Sequence, residues 1–350
     1  MLYHSKNPHG GDIYGKQVFL DYSANTNPYG TPIGVLEAVR ESLCDMHCYP
    51  DPYCRKLVAA IAESEGVPSE YILCGNGAAE LIYSYCESVS PKQAVELAPT
   101  FSEYARGLWR ADCTVSRYVL KKDNAFRLDR EFLTFLEEVR PASVFLCNPN
   151  NPTGRVIDHS LLTDVLSLSA ALDFRLFIDE CFLDLSVGGE SMSSYLYDNP
   201  RLFILKAFTK NYGMAGLRLG YCMTADQELL LKMSKTVPPW NVSLPAQAAG
   251  IAALKERDFL SYAKNTIAQE KHWLTDALTQ LGFWVCPSDA NFLLFQAPAG
   301  LHEKLLEEGV LIRNCDNYYG LGPGWYRIAV RRHEENMQLF SAIERILHEG

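Results

Sequence analysis

Between residues 71 and 203, short strand-like runs alternate with longer helical stretches. Residues 71–74, 94–97, 114–119, 143–146 and 176–178 read as strands, and 202–205 as a further short buried one. Apolar runs of this length between helical segments predict an α/β fold, a mostly parallel central sheet with helices on both faces. Ligands in such sheets gather at the carboxyl ends of the strands.

The pattern changes on either side. Residues 18–22 are strand-like and end in the turn cluster Ser23-Ala24-Asn25-Thr26-Asn27-Pro28-Tyr29-Gly30. A helix is expected after Thr31-Pro32, because proline suits the first helical turn, and it runs to about residue 44. Cys48-Tyr49-Pro50-Asp51-Pro52 breaks the chain, and 53–65 form a helix with Leu57, Val58, Ala60 and Ile61 inward. Beyond Tyr221, residues 238–243 read as a loop and 246–273 as a long helical stretch. Strands at 283–287, 291–296, 310–313 and 325–330 then alternate with helices, which predicts a smaller α+β domain. The expected organisation is an arm over 1–20, a large domain over 45–245, and a small domain made of 21–44 and 246–350.

Composition narrows the class. A chain of 350 residues, 48% hydrophobic and 21% charged, is that of a globular protein long enough for two domains. A net charge of −10 argues against a nucleic-acid partner, though not against small anions held by local arginines. No run of 18 apolar residues occurs, so no membrane partner is expected. Met1 to Gly11 lack the apolar core of a secretory signal, so the expected location is cytoplasmic. Among eleven cysteines only Cys44, Cys48 and Cys54 cluster; their spacing matches no zinc pattern and no Cys-x-x-Cys pair occurs, so the expectation is reduced thiols and no metal.

The unusual polar motifs fall at the ends of the expected strands. The run 202–205 delivers Lys210 into Lys206-Ala207-Phe208-Thr209-Lys210-Asn211-Tyr212-Gly213, with Arg218 eight positions later. An ammonium in an apolar setting is costly unless paired, neutralised or used covalently, and a lysine of lowered pKa becomes a nucleophile toward aldehydes. Gly75-Asn76-Gly77-Ala78-Ala79-Glu80 follows a strand and opens a helix. Its amides and helix dipole can hold a phosphate, although small residues also serve an ordinary tight turn.

Phe101 and Tyr104 lie just past another strand end, where they either pack or stack on a flat ligand. Asn148-Pro149-Asn150-Asn151-Pro152-Thr153-Gly154 offers side-chain donors at a third. Asp179 ends a fourth, and a buried carboxylate needs a partner: a protonated heterocyclic nitrogen, or an arginine or helix terminus. A lysine for an aldehyde, a carboxylate for a pyridinium, an aromatic lid, a donor to a ring hydroxyl and a phosphate cup are what pyridoxal 5'-phosphate requires.

The order Asn151-Pro152-Thr153-Gly154, Asp179, Thr209-Lys210 and Gly216-Leu217-Arg218-Leu219-Gly220-Tyr221 resembles the fold-type I aminotransferases of class I/II over nearly the whole chain. The branch it resembles holds the threonine-phosphate decarboxylases and the histidinol-phosphate aminotransferases. The resemblance implies a fold-type I transferase, pyridoxal 5'-phosphate as cofactor, and a homodimer with shared active sites. It also implies roles. Lys210 would be the Schiff-base lysine, Asp179 the partner of the pyridinium, Asn151 a donor to the ring oxygen, and Phe101 or Tyr104 the ring's stacking partner. Gly77, Ala78 and Ala79 amides with Thr209 and Arg218 would hold the cofactor phosphate, and Tyr49 would reach the phosphate in the neighbouring subunit. Two positions depart from the family pattern. Ala207 stands where a Ser or Thr usually donates to the phosphate, a bond Thr209 would replace, and Phe182 stands where aspartate aminotransferases have a tyrosine.

Arg327 and Arg331 alternate with apolar residues along one expected strand and so share a face. Convergent arginines suit a carboxylate or a phosphate. The resemblance makes Arg327 a substrate-anion ligand, with Arg313 a further candidate. His9-Gly10-Gly11, the stretch from Asp21 to Pro28, Pro239-Trp240-Asn241-Val242, Leu311-Ile312-Arg313 with Asn317-Tyr318, and Arg331 are similar to the decarboxylases of the branch. Its aminotransferases usually lack the leading His-Gly-Gly and carry glycine at Arg331. The resemblance therefore implies decarboxylation of a phosphorylated hydroxy-amino acid, L-threonine O-3-phosphate to aminopropanol phosphate, in cobalamin biosynthesis. His9, Gly10, Asn27, Arg313, Arg327 and Arg331 would bind that substrate. The alternatives are transamination of histidinol phosphate with 2-oxoglutarate, and a non-catalytic protein that binds the cofactor.

Overall fold

The structure, a computed structural model, describes residues 7–348. Its central sheet has seven strands in the order Ile72–Gly75, Gly220–Met223, Leu202–Ala207, Arg175–Asp179, Ser143–Cys147, Gln93–Ala98 and Thr114–Val119. Every pairing from Leu202–Ala207 out to Thr114–Val119 is parallel. The expected α/β class and mostly parallel sheet are present. All residues of Ser143–Cys147 and Leu202–Ala207 are buried, as both faces being covered demands. Leu202 and Ile204 enter the apolar cluster on one face; Phe203, Leu205 and Ala207 enter that on the other.

One strand was not expected. Gly220–Met223 pairs antiparallel with both Ile72–Gly75 and Leu202–Ala207. It follows the glycine-rich loop so closely that its short apolar run reads as the loop's tail. A Cβ on Gly220 would come within 2.8 Å of the Ala78 nitrogen, so only glycine lets this strand pass the start of the helix Gly77–Val89.

A second, four-stranded antiparallel sheet is ordered Arg313–Asn314, Trp325–Ala329, Phe292–Gln296, Trp284–Val285. Leu20–Asp21 pairs in parallel with Val310–Leu311. The single strand expected over 310–313 is thus two short ones, because the buried Ile312 carries the chain from one sheet to the other. The helical stretch expected over 246–273 is likewise two helices, Leu244–Ala253 and Arg257–Gln280. The first buries the small residues Ala246, Ala249, Gly250 and Ala253, and a Cβ on Gly250 would strike Leu219 and Leu57. The second turns Ala263, Ile267, Leu274 and Leu278 toward the core of the small sheet. One straight helix could not serve both contacts. Among the described residues no helix is long and apolar enough to cross a membrane, and no group of three or more His, Cys, Asp or Glu could hold a metal.

Lys206, on the strand that leads to Lys210, belongs to a buried ion cluster. Lys206 Nζ lies 2.9 and 3.1 Å from the two Glu65 oxygens and 3.4 Å from Asp184, and Tyr221 donates to Glu65 as well. Burial alone would lower the lysine's pKa, but Asp184, Glu65 and Glu180 outweigh it and hold the proton in place. Removing one member of a buried pair leaves an uncompensated charge. Lys206→Met is therefore expected to cost about 3–5 kcal/mol, read as a lower midpoint in urea unfolding, with the loss smaller at pH 5 than at pH 8 because the stranded carboxylates take up protons.

Candidate active site

A cavity of ≈ 400 Å³ opens at the carboxyl ends of the central strands and brings Lys210, Asp179, Asn151, Arg218, Arg313 and Arg327 together with His9 and Gly10. Leu202–Ala207 leads straight into the helical turn Phe208–Asn211, which presents Lys210. The backbone N–H of Asn27 donates to the Lys210 carbonyl at 2.9 Å, and its side chain donates to the Asn211 carbonyl at 2.9 Å. Lys210 Nζ lies 5.9 Å from the Phe182 ring centroid, and among the described residues no carboxylate forms an ion pair with it. Burial, then the charge of Arg327 and, less, that of Arg218, push its pKa down to about 8, with Cys181 and Asp21 pulling the other way. Lys210 is therefore a partly neutral amine near physiological pH.

Asp179 ends Arg175–Asp179 and is buried. Its Oδ1 accepts from the Cys181 N–H at 2.9 Å and its Oδ2 from the Tyr104 hydroxyl at 2.6 Å. Burial raises its pKa, opposed by those hydrogen bonds and by the charge of Lys210. Among the described residues no cation forms an ion pair with this carboxylate. A protonated ring nitrogen would supply one.

The expected phosphate cup lies at the start of Gly77–Val89, where Ala78 and Ala79 line the cavity beside Thr209 and Arg218. Gly77 has φ +80°, and a Cβ on it would lie 2.5 Å from Arg218 Nη2, so the missing side chain is what lets the guanidinium close over the helix terminus. Arg218 donates to the Ala215 carbonyl at 3.1 Å and pairs with no carboxylate among the described residues. A helix N-terminus with a free guanidinium is an anion site. Lysine, buried carboxylate, cup and lid fit pyridoxal 5'-phosphate, and Thr209 rather than Ala207 faces the cavity.

The two arginines of the small sheet meet by register. Arg313 and Arg327 are direct partners across an antiparallel pair, where like charges repel. Arg327 donates to Asn151 Oδ1 and to the Ser23 carbonyl at 2.8 Å. Arg313 donates to the Asn314 carbonyl, to the Pro8 carbonyl at 2.6 Å and to Asn317 Oδ1 at 2.7 Å. Both are buried, and neither pairs with a carboxylate among the described residues. The Tyr318 hydroxyl also donates to Asn151 Oδ1, which leaves the Asn151 amide group as the donor toward the cavity.

Tyr104, Asn27 and Arg331, expected at the site, lie away from the cavity. Tyr104 is fully buried, its hydroxyl is committed to Asp179, and its ring meets Phe101 edge-on at 5.6 Å, so Phe101 alone of the two lines the cavity. Asn27 buttresses the lysine turn and does not reach the cavity. Arg331 stands beyond the end of Trp325–Ala329, where the alternation that aligned it with Arg327 stops, and donates to the Asp21 carbonyl at 2.5 Å. Tyr49, expected at the neighbouring subunit's cofactor rather than at its own, is 79% exposed and stacked on Trp240 at 4.7 Å. Asn25 was missed: it lines the cavity with both polar side-chain atoms buried and unpartnered. Its signal was the Asn-Thr-Asn repeat, of which sequence reasoning chose the wrong asparagine.

With this geometry in hand, the relatives are informative. The chain is 33% identical to threonine-phosphate decarboxylase of Salmonella typhimurium, over 97% of this chain and 96% of that protein. It is 31% identical to the adenosylcobalamin biosynthesis bifunctional protein of Leptospira interrogans, over 97% of this chain and 41% of that one. Among solved structures, histidinol-phosphate aminotransferase from Clostridium acetobutylicum superposes with a TM-score of 0.88 at 28% identity, covering 95% of this chain and all of that one. The model of the class I and II aminotransferases matches residues 18–346, and the chain belongs to that family.

Proposed function

We propose that this chain is a pyridoxal-phosphate-dependent decarboxylase that converts L-threonine O-3-phosphate to aminopropanol phosphate, a step of cobalamin biosynthesis. The observation that carries the reading is the opposed pair Arg313 and Arg327, buried in the cavity that holds Lys210 and in ion pairs with no carboxylate among the described residues. Two uncompensated guanidiniums call for two anionic groups. A phosphorylated amino acid brings a carboxylate and a phosphate in one molecule, whereas histidinol phosphate brings only the phosphate. The 33% identical threonine-phosphate decarboxylase points the same way.

Bound pyridoxal phosphate supplies an electron sink for the pair left when a bond at the substrate's Cα breaks. The chain's residues arrange the rest. Asp179 would keep the ring nitrogen protonated; Arg218 with the Ala78 and Ala79 amides would hold the phosphate; Asn151 would donate to the ring oxygen; Phe101 would cover one face. Lys210 Nζ anchors the aldehyde, and with a pKa of about 8 it can hold the proton returned to Cα after carbon dioxide leaves. Arg313 and Arg327 would hold the substrate's carboxylate and phosphate, and that anchoring would decide which bond at Cα is presented for cleavage.

A homodimer belongs to this reading. Ile33, Leu36, Met46, Tyr49 and Tyr53 are exposed large apolar side chains along one stretch of chain, a patch suited to a second copy, and there Tyr49 would reach the partner's cofactor phosphate.

The test is a paired assay on the cofactor-loaded protein. Carbon dioxide release from L-threonine O-3-phosphate with no 2-oxo acid present is the expected result. Consumption of 2-oxoglutarate with histidinol phosphate, and no carbon dioxide, would replace it with the aminotransferase reading that the TM-score of 0.88 favours.

A further inference from the structure

The arm that closes one wall of the cavity is held from two sides. On one, Arg313 and the Asn317 amide both donate to the Pro8 carbonyl, the latter at 3.2 Å. The Gly11 N–H donates to Ser23 Oγ at 2.7 Å, and Gly10 sits so close to the Ser23 carbonyl that a Cβ would come within 2.2 Å. On the other side His9 Nε2 lies 3.0 Å from Glu103 Oε1, and its ring lies 6.0 Å from that of Phe101.

Glu103 opens the helix Glu103–Arg110 and is itself buried. It is unusually well fixed: Tyr83 donates to Oε2 at 2.7 Å and Arg106 to Oε1 at 3.0 Å. Burial would raise its pKa, yet the hydrogen bonds from His9 and Tyr83 and the charges of His9 and Arg106 bring it down to about 2. The carboxylate is thus an acceptor at any working pH, and the His9 nitrogen facing it carries a proton. Nδ1 is then the ring nitrogen left for a ligand, and it donates to a phosphate oxygen in the imidazolium form, whose charge the Glu103 carboxylate balances.

We propose that Glu103 is a positioning residue for substrate recognition: anchored by Tyr83 and Arg106, its carboxylate fixes His9 beside Phe101 so that the arm presents the imidazole to the phosphate of the substrate. This rests on the proposed phosphorylated substrate, and it assigns Glu103 no contact with the reacting atoms. Glu103 acts only through His9.

Glu103→Ala is expected to raise KM for L-threonine O-3-phosphate about tenfold, the scale of one charge-assisted hydrogen bond, while kcat changes less than about twofold. Glu103→Gln, which keeps an acceptor but not the charge, falls between. His9→Ala should match Glu103→Ala, and the double variant should be no worse than either single, because the two act as one unit. Hydrogen–deuterium exchange across residues 7–12 reads the latch without substrate, and Glu103→Ala should speed it several-fold with the thermal midpoint retained. If the wild type turns over no threonine phosphate, the functional reading fails while exchange still judges the latch. Unchanged exchange, or additive effects of the two single variants on KM, overturns the proposal.

Discussion

Lys210→Ala is expected to yield a folded protein that stays colourless in the presence of pyridoxal phosphate and whose turnover is about 10⁴-fold lower or worse. Lys210 is presented by a turn that Asn27 holds through the backbone, the 2.9 Å bond to the Lys210 carbonyl. Loss of the side chain therefore leaves the turn in place. Its ammonium has no ion-pair partner among the described residues, and removing an unpaired buried cation does not destabilise the fold. Thermal stability of the ligand-free protein should accordingly hold or rise while the visible band vanishes. The lowered pKa adds a second readout. A lysine at about 8 reacts with small aldehydes at a rate that climbs as pH rises through about 8, where an ordinary lysine would still be almost wholly protonated. A wild-type protein that develops no visible absorbance when loaded with the cofactor would remove the basis of the whole functional reading.

The sheet was legible because strands buried on both faces leave an unbroken apolar signature, as 143–146 and 202–205 show. Gly220–Met223 was not, because glycine and the neighbouring site residues mask four residues of strand. The cofactor half of the site was equally readable, since Lys210, Asp179, Asn151 and Arg218 each follow directly on a strand or belong to a contiguous motif, and backbone geometry then places them. The substrate half depends on tertiary register. Arg313 faces Arg327 only because the chain crosses between sheets at Ile312, and Arg331 leaves the cavity because its strand ends at Ala329. Side-chain direction decided the remaining cases: Tyr104 and Phe101 are three residues apart, yet one serves Asp179 and the other the cavity. The Glu103 contact with His9 joins two segments 94 positions apart and left no local trace.

Asp179→Asn is expected to separate cofactor binding from cofactor use. The substitution keeps the shape and removes the charge; its single oxygen can still accept from the Cys181 N–H, while its amide group takes the place of the oxygen that accepts from Tyr104 and can donate to the Tyr104 hydroxyl oxygen instead. The phosphate cup and Lys210 are untouched, so the loaded variant should remain coloured, unlike Lys210→Ala. Without an anion opposite it, the ring nitrogen loses its proton and the electron sink weakens; removal of one preorganised electrostatic partner costs about 10²–10³-fold in kcat. The ligand-free protein should become slightly more stable, since burial raises the Asp179 pKa and so disfavours its charge. The thermal shift on adding pyridoxal phosphate should shrink, because the stabilisation a ligand gives follows its affinity. Tyr104→Phe supplies the control. It strips one donor from the carboxylate and leaves the charge, so its effect on kcat should be the smaller of the two. An Asp179→Asn enzyme that turns over at the wild-type rate, with an undiminished thermal shift, would show that the carboxylate pairs with nothing on the cofactor and that its burial among Tyr104 and Cys181 is structural.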